Sequence, residues 1–186
     1  MKVEMKTGNR KTWDKSNGYG ELTFQGILDL IKDIRTHQAK SFLDIGSGYG
    51  YISRMVRDAV GIKSVGIERD KKRYDACRTV HSYAHRQGHV PAVLEYVNYD
   101  IYKHTGYIKN ADYIFSNSCL FDKSFPNFVV EHMKPGTVFI TNSVYQKPDE
   151  QIFLNVTWNK KPHRFNKIIK KWNNHLMILY LFIGMI

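Results

Sequence analysis

The chain of 186 residues is predicted to fold as an α/β domain. Its sheet should be mostly parallel, with helices on both faces and a C-terminal antiparallel hairpin. Three observations predict this. Short apolar runs alternate with helical stripes from Ser41 to Thr141, the plan of a doubly wound sheet. One such run, Phe42-Leu43-Asp44-Ile45, passes directly into Gly46-Ser47-Gly48-Tyr49-Gly50 and then into a helical pattern, a strand–loop–helix unit. Last, the extended patterns Phe165 to Trp172 and His175 to Ile183 meet at Asn173-Asn174, residues that tolerate the left-handed conformations of a tight turn. Five strands and this hairpin make seven, with one strand reversed near the sheet edge.

The elements follow in order. Residues 1–17 read as a basic N-terminal arm, and 18–186 as one domain. Gly18-Tyr19-Gly20-Glu21-Leu22-Thr23 forms a turn and a helix cap. Leu22 to Ile34 carries Phe24, Ile27, Leu28, Leu30, Ile31 and Ile34, a helical stripe. Ser41 to Ile45 is the first strand, and Tyr51 to Val60 a helix stopped by Gly61. Lys63 to Ile67 is the second strand, and Lys71 to Gln87 a charged helix closed by Gly88. Ala92 to Tyr99 is the third strand and Asp112 to Ser116 the fourth. Phe125 to Met133 is a helix, Lys134-Pro135-Gly136 a turn and Thr137 to Thr141 the fifth strand.

Composition narrows the possible classes. A chain of this length can bury a substantial core. It has no apolar run of the roughly 18 residues that a membrane helix needs and no charged-then-apolar leader. Neither membrane spanning nor secretion is expected; the setting is intracellular, nucleus or cytoplasm, and the protein a monomer. The apolar stretch Leu176 to Ile183 reads as a buried strand. Cys77 and Cys119 are too few for a disulfide framework or a zinc site. They are expected as buried thiols, with no metal. The net charge of +11 is concentrated. Lys160, Lys161, Arg164, Lys167, Lys170 and Lys171 stand together without an acid, and Lys2, Lys6, Arg10, Lys11 and Lys15 crowd the arm. Such patches suit a polyanion, DNA or RNA among them; a solvated lysine-rich face is the plainer reading.

The glycine loop, answered by Gly66-Ile67-Glu68, points to a nucleoside-containing ligand. Glycines let backbone approach the ligand, and the helix that follows offers unpaired N–H groups. Glu68 ends the next strand, where it can accept from both ribose hydroxyls. The dinucleotide pattern G-x-G-x-x-G fails, because its third glycine would be Tyr51. The pattern present, D-x-G-x-G-x-G, resembles motif I of the class I S-adenosylmethionine-dependent methyltransferases. S-adenosyl-L-methionine is then the expected cofactor, and the fold the Rossmann-like, seven-stranded sheet of that class. Asp100, closing the third strand, is placed to accept from the adenine amine, with Ile101 against the ring. The fourth strand runs out as Phe115-Ser116-Asn117-Ser118-Cys119-Leu120-Phe121, and its end faces the methyl group in this architecture. Asn117 is the candidate acceptor-orienting residue, with Phe115 and Phe121 as walls of an apolar channel. The absence of prolines here disfavours an Asn-Pro-Pro-Tyr type of site for nucleobase or glutamine amines.

Taken together, several motifs are similar to one family. They are Tyr19-Gly20-Glu21 with Thr23, the Asp44–Gly50 loop, Gly66-x-Glu68, Ile114-Phe115-x-Asn117 and the Met133-Lys134-x-Gly136 turn. In this order they resemble the catalytic core of the non-SET histone lysine methyltransferases named for disruption of telomeric silencing (DOT-type). The resemblance runs from Tyr19 to Asn142, about two-thirds of the chain. Trp158-Asn159-Lys160-Lys161-Pro162 looks like a late Trp-x-x-Lys-Pro segment of that family. The compact length also resembles small archaeal-type protein lysine methyltransferases. The resemblance implies that Tyr19 and Glu21 lie over the cofactor's methionine end. It further implies that Asp44, Gly46, Ser47, Gly48 and Gly50 form the cofactor loop, that Glu68 binds ribose and that Asp100 meets adenine. Asn117 would be the first asparagine of an Asn-Asn-Phe motif whose other positions are here Ser118 and Cys119. Phe165 falls where the family has an aromatic near the lysine.

The function expected is a protein-lysine N-methyltransferase, with a histone or nucleosome as one substrate. Methylation of RNA or a small amine, and a catalytically idle cofactor-binding scaffold, stay open as alternatives.

Overall fold

The computed structural model describes residues 22–86, 93–118, 120–142, 153–158, 161–170 and 176–178. The arm 1–17, Tyr19, Glu21, Cys119 and the Asn173-Asn174 link lie outside them.

Helix α1 (Phe24–Thr36) starts where Thr23 Oγ1 accepts from the Gly26 N–H at 3.1 Å, an N-cap bond. Strand β1 (Ser41–Ile45) leads to α2 (Tyr51–Val60), which Gly61 ends in the left-handed conformation. Strand β2 (Lys63–Ile67) leads to α3 (Lys71–Arg86), capped by Asp70, whose Oδ1 accepts from the Arg73 N–H at 3.0 Å. After β3 (Leu94–Val97) come a single 3-10 turn, Ile101–Lys103, and the short α4 (Gly106–Asn110). Strand β4 (Tyr113–Ser116), α5 (Phe125–His132) and β5 (Val138–Thr141) complete the alternating part. Three strands follow: β6 (Phe153–Trp158), β7 (Lys161–Lys170) and β8 (Leu176–Ile178).

The sheet order is β3-β2-β1-β4-β5-β7-β6, with β8 beside β7. Strands β1 to β5 are parallel, and β7 alone runs against its neighbours β5, β6 and β8. The predicted hairpin is there, with Lys170 opposite Leu176. Its first strand begins at Lys161 instead of Phe165, and β6 is an addition, so the described residues hold eight strands where seven were expected. Leu154, Val156 and Trp158 alternate with Asn155 and Thr157, a period-2 signal hidden by the polar residues before it.

Alternation along the strands sends side chains to two cores. Phe42, Tyr113, Phe115, Val138 and Ile140 pack with α1 and α2 on one face. Leu43, Ile45, Val65, Ile67, Val97, Ile114 and Phe139 pack with α4 and α5 on the other. Chain order reverses between β1 and β4, so their carboxyl ends open the crevice where open α/β sheets bind ligands. Among the described residues no helix is long and apolar enough to cross a membrane.

Candidate functional site at the carboxyl rim of the sheet

The loop after β1 is fastened on every side. The N–H groups of Gly46 and Ser47 both donate to the Ile67 carbonyl, at 2.8 and 3.0 Å. Tyr96 Oη donates to the Gly50 carbonyl at 2.6 Å, and Cys77 Sγ to the Gly48 carbonyl at 3.1 Å. Gly50 has φ +71°, and a Cβ there would lie 2.4 Å from the Tyr96 ring. Glycine is required at this position on both counts. Beneath the loop, Asp44 is 1 % exposed and its Oδ2 accepts from Ser53 Oγ at 2.8 Å. This bond ties the end of β1 to helix α2 beneath the glycine loop.

Burial, reinforced by the charges of Asp44 and Glu68, pushes the Cys77 thiol up to about 12. Burial likewise raises the Tyr96 hydroxyl far above its usual range. Both groups stay protonated at neutral pH and remain donors to the loop.

Glu68 stands at the β2 tip, 7 % exposed. Its Oε2 accepts from the Gly48 N–H at 2.8 Å and its Oε1 from the Asp70 N–H at 2.7 Å, with Arg73 Nε 3.7 Å from Oε1. Each carboxylate oxygen has two lone pairs, so each can accept a second hydrogen bond. Asn98 Nδ2 donates to the carbonyls of Glu68 and Arg69, at 2.8 and 3.0 Å, tying the β2 tip to the end of β3.

At the β3 end, Asp100 is half-buried, and its Oδ1 accepts from the Tyr102 N–H at 3.2 Å, capping the 3-10 turn. Ile101 is buried in the core on the α4–α5 face. Tyr102 Oη donates to Asp122 Oδ2 at 2.8 Å, so this turn is tied to the segment after β4. Burial first, and then the hydrogen bond to Asp122, raise the Tyr102 hydroxyl.

At the β4 tip the expected residues part company. Asn117 is half-buried, and its Oδ1 accepts from Asn142 Nδ2 at 2.7 Å. Phe121 stacks on Phe125 with ring centres 3.9 Å apart. Its Cε2 lies 3.4 Å from where a Cβ on Gly46 would stand, so it adjoins the glycine loop. Phe115, however, is 1 % exposed and belongs to the core on the α1–α2 face. Phe115 and Phe121 were expected as walls of a narrow apolar channel. That pairing is corrected: they pack on opposite faces of the sheet, because Phe115 lies within β4 and Phe121 follows it in the loop.

Four residues of this rim were not singled out from sequence: Tyr96, Asn98, Tyr102 and Asn142. Only Tyr96 left a usable trace. Glycines at 50 and 66 free the space its ring fills; a Cβ on Gly66 would lie 2.8 Å from Tyr96 Cδ1. Among the described residues no cluster of His, Cys, Asp and Glu suited to a metal occurs.

Comparison with known proteins then places the chain. The family described as "Histone methylation protein DOT1" matches residues 9–160. Comparison with curated proteins gives no match. Among solved structures, an O-methyltransferase from Bacillus cereus, in complex with SAH, is similar at TM-score 0.61 and 17 % identity. That match covers 82 % of this chain and 83 % of the other. An RNA methyltransferase from Salinibacter ruber, in complex with S-adenosyl-L-homocysteine, gives TM-score 0.56 at 18 % identity over 88 % and 97 % of the two chains. A SAM-dependent methyltransferase from Thiobacillus denitrificans gives 0.51 at 15 % identity. It matches 71 % of this chain, which spans half the length of that one. At these identities the structures speak for the fold alone. The chain belongs to the DOT1 family of histone methylation proteins and has the fold of the class I S-adenosylmethionine-dependent methyltransferases.

Proposed function

We propose that this protein is a protein-lysine N-methyltransferase that uses S-adenosylmethionine, with a histone presented in a nucleosome as its substrate. One observation carries the cofactor half: the buried Glu68 carboxylate meets the Gly48 N–H at the β2 tip, joining the glycine loop to an anionic acceptor. The donor set fits a nucleoside. Glu68 offers carboxylate oxygens to the two ribose hydroxyls, Asp100 offers one to the adenine amine, and Gly46, Ser47, Gly48 and Gly50 bring backbone close. Tyr19 and Glu21 are proposed over the methionine end by family resemblance. Membership of the family supports the lysine half.

The bound cofactor supplies an activated sulfonium methyl, so the protein's work is alignment and desolvation. A lysine amine, with a pKa near ~10.4 in water, must lose a proton before its lone pair can attack. Leu120 and Phe121, beside the Asn117 tip, supply the apolar surroundings that disfavour the ammonium form. Asn117 orients the amine through its amide. Asn117 and these apolar side chains would thus hold a neutral amine toward the cofactor's methyl, and the proton that the amine sheds would pass to solvent.

The test is incubation with isotopically labelled donor against nucleosomes, free histones, RNA and small amines. Label on histone lysine is the expected result. Label confined to RNA overturns the lysine assignment, a reading that the basic stretch 160–171 would equally suit. If the wild type transfers label to nothing and Asn117→Ala behaves identically, the chain is a cofactor-binding scaffold.

A further inference from the structure

We propose that Asn142, at the end of β5, is a positioning residue that fixes which way the Asn117 amide faces; its catalytic consequence rests on the methyltransferase reading above. The chain of reasoning starts from a group that can only donate. The Ser118 backbone N–H meets Asn142 at 2.7 Å, so the atom it meets must be the amide oxygen, Oδ1. The Ser118 hydroxyl donates to the same oxygen at 2.9 Å and lies 2.5 Å from Thr141 Oγ1. With its oxygen so held, Asn142 turns its NH2 to Asn117. Asn117 must answer with its own oxygen, as it does at 2.7 Å.

A backbone donor just beyond the end of β4 thus sets two side-chain amides in sequence, and neither can flip without placing donor against donor. Ser118 is 1 % exposed, so water does not readily substitute for these bonds. The bond from Asn142 turns the Asn117 oxygen, and not its NH2, toward β5. An amide oxygen has two lone pairs, so an oxygen held there is an acceptor by which the amine's N–H is oriented. The donation from Asn142 also polarises the Asn117 amide.

The test uses Asn142→Asp, which keeps the shape and still accepts from Ser118 but cannot donate to Asn117. With isotope-labelled full-length protein, the side-chain NH2 resonances of Asn117 should shift markedly in Asn142→Asp. Melting temperature and S-adenosylhomocysteine affinity should stay near wild type. In methyl transfer, kcat should fall about tenfold with KM for the cofactor unchanged. Asn117→Ala combined with Asn142→Asp should be no slower than Asn117→Ala alone, because the two act as one unit. An unmoved Asn117 resonance, or multiplicative losses in the double variant, overturns the proposal. The resonance reads the amide pair without turnover. If it shifts while the wild type methylates no acceptor, the pair stands and the enzymatic reading fails.

Discussion

Gly66 shows how a single hydrogen in place of a methyl supports the rim. A Cβ there would lie 2.8 Å from Tyr96 Cδ1 and 2.9 Å from both Ser47 Oγ and Ser53 Oγ. The ring is pinned by its bond to Gly50, and Ser53 is bonded to the buried Asp44. Gly66→Ala should therefore destabilise the fold by about 1–3 kcal/mol, the cost of overpacking a filled site. A thermal melt would show it as a drop of several degrees; an unchanged melt would mean the neighbours yield freely. Asn117 behaves oppositely. It is half-buried at the rim and supports no core cluster, so Asn117→Ala should keep cofactor affinity within about twofold while turnover falls tenfold or more. Equal loss of binding and turnover would place Asn117 with the cofactor instead of the acceptor.

At the scale of the element, the loop after β1 is held from β3 and α3 by two groups that must stay protonated, Tyr96 and Cys77. Cys77 ionises near its ordinary value of 9.0 when unfolded and near about 12 in the fold, chiefly because it is buried. Its contribution to stability is complete below pH 9 and is lost as pH rises through 12. Tyr96, Tyr102, Tyr107 and Tyr113 are raised in the same sense, burial first in each case. The melting temperature should therefore fall steeply on the alkaline side, and Cys77→Ala should flatten that slope. Unfolding scans between pH 8 and 11 check this; a flat alkaline limb would show the thiol and phenols to be solvated. The strands and helices of this region were legible because their apolar periods are strong and their ends are marked by glycine or a capping acid. Less legible were the short 3-10 turn and α4, too brief to show a period, and β6, a strand of only six residues.

For the molecule as a whole, a chain of charge +11 with a basic strand at the β7 position should hold polyanions by counterion release. Affinity for nucleosomes should fall linearly on a log–log plot against salt. Replacing Lys167 and Lys170 by glutamate should make that slope shallower. A slope near zero would return the charge to plain solvation. Placement on the rim was legible from sequence at strand ends, because a strand's last residue fixes its place there. Glu68, Asp100 and Asn117 were placed at the rim that way. Tyr96, Tyr102 and Asn142 were not, since their roles come from contacts between segments far apart in sequence. Phe115 was misjudged because sequence does not say on which face of β4 it falls until the register with β1 is known.

The central claim is that Glu68 and the glycine loop together receive the adenosine end of S-adenosylmethionine. Calorimetric titration of S-adenosylhomocysteine into the wild type and Glu68→Gln tests it most directly. The glutamine would present an NH2 to one of the two N–H groups that Glu68 now accepts, from Gly48 and Asp70. The account predicts one site per chain in the wild type, weakened at least tenfold in the variant. A wild type that binds nothing, or a variant that binds equally well, would contradict it.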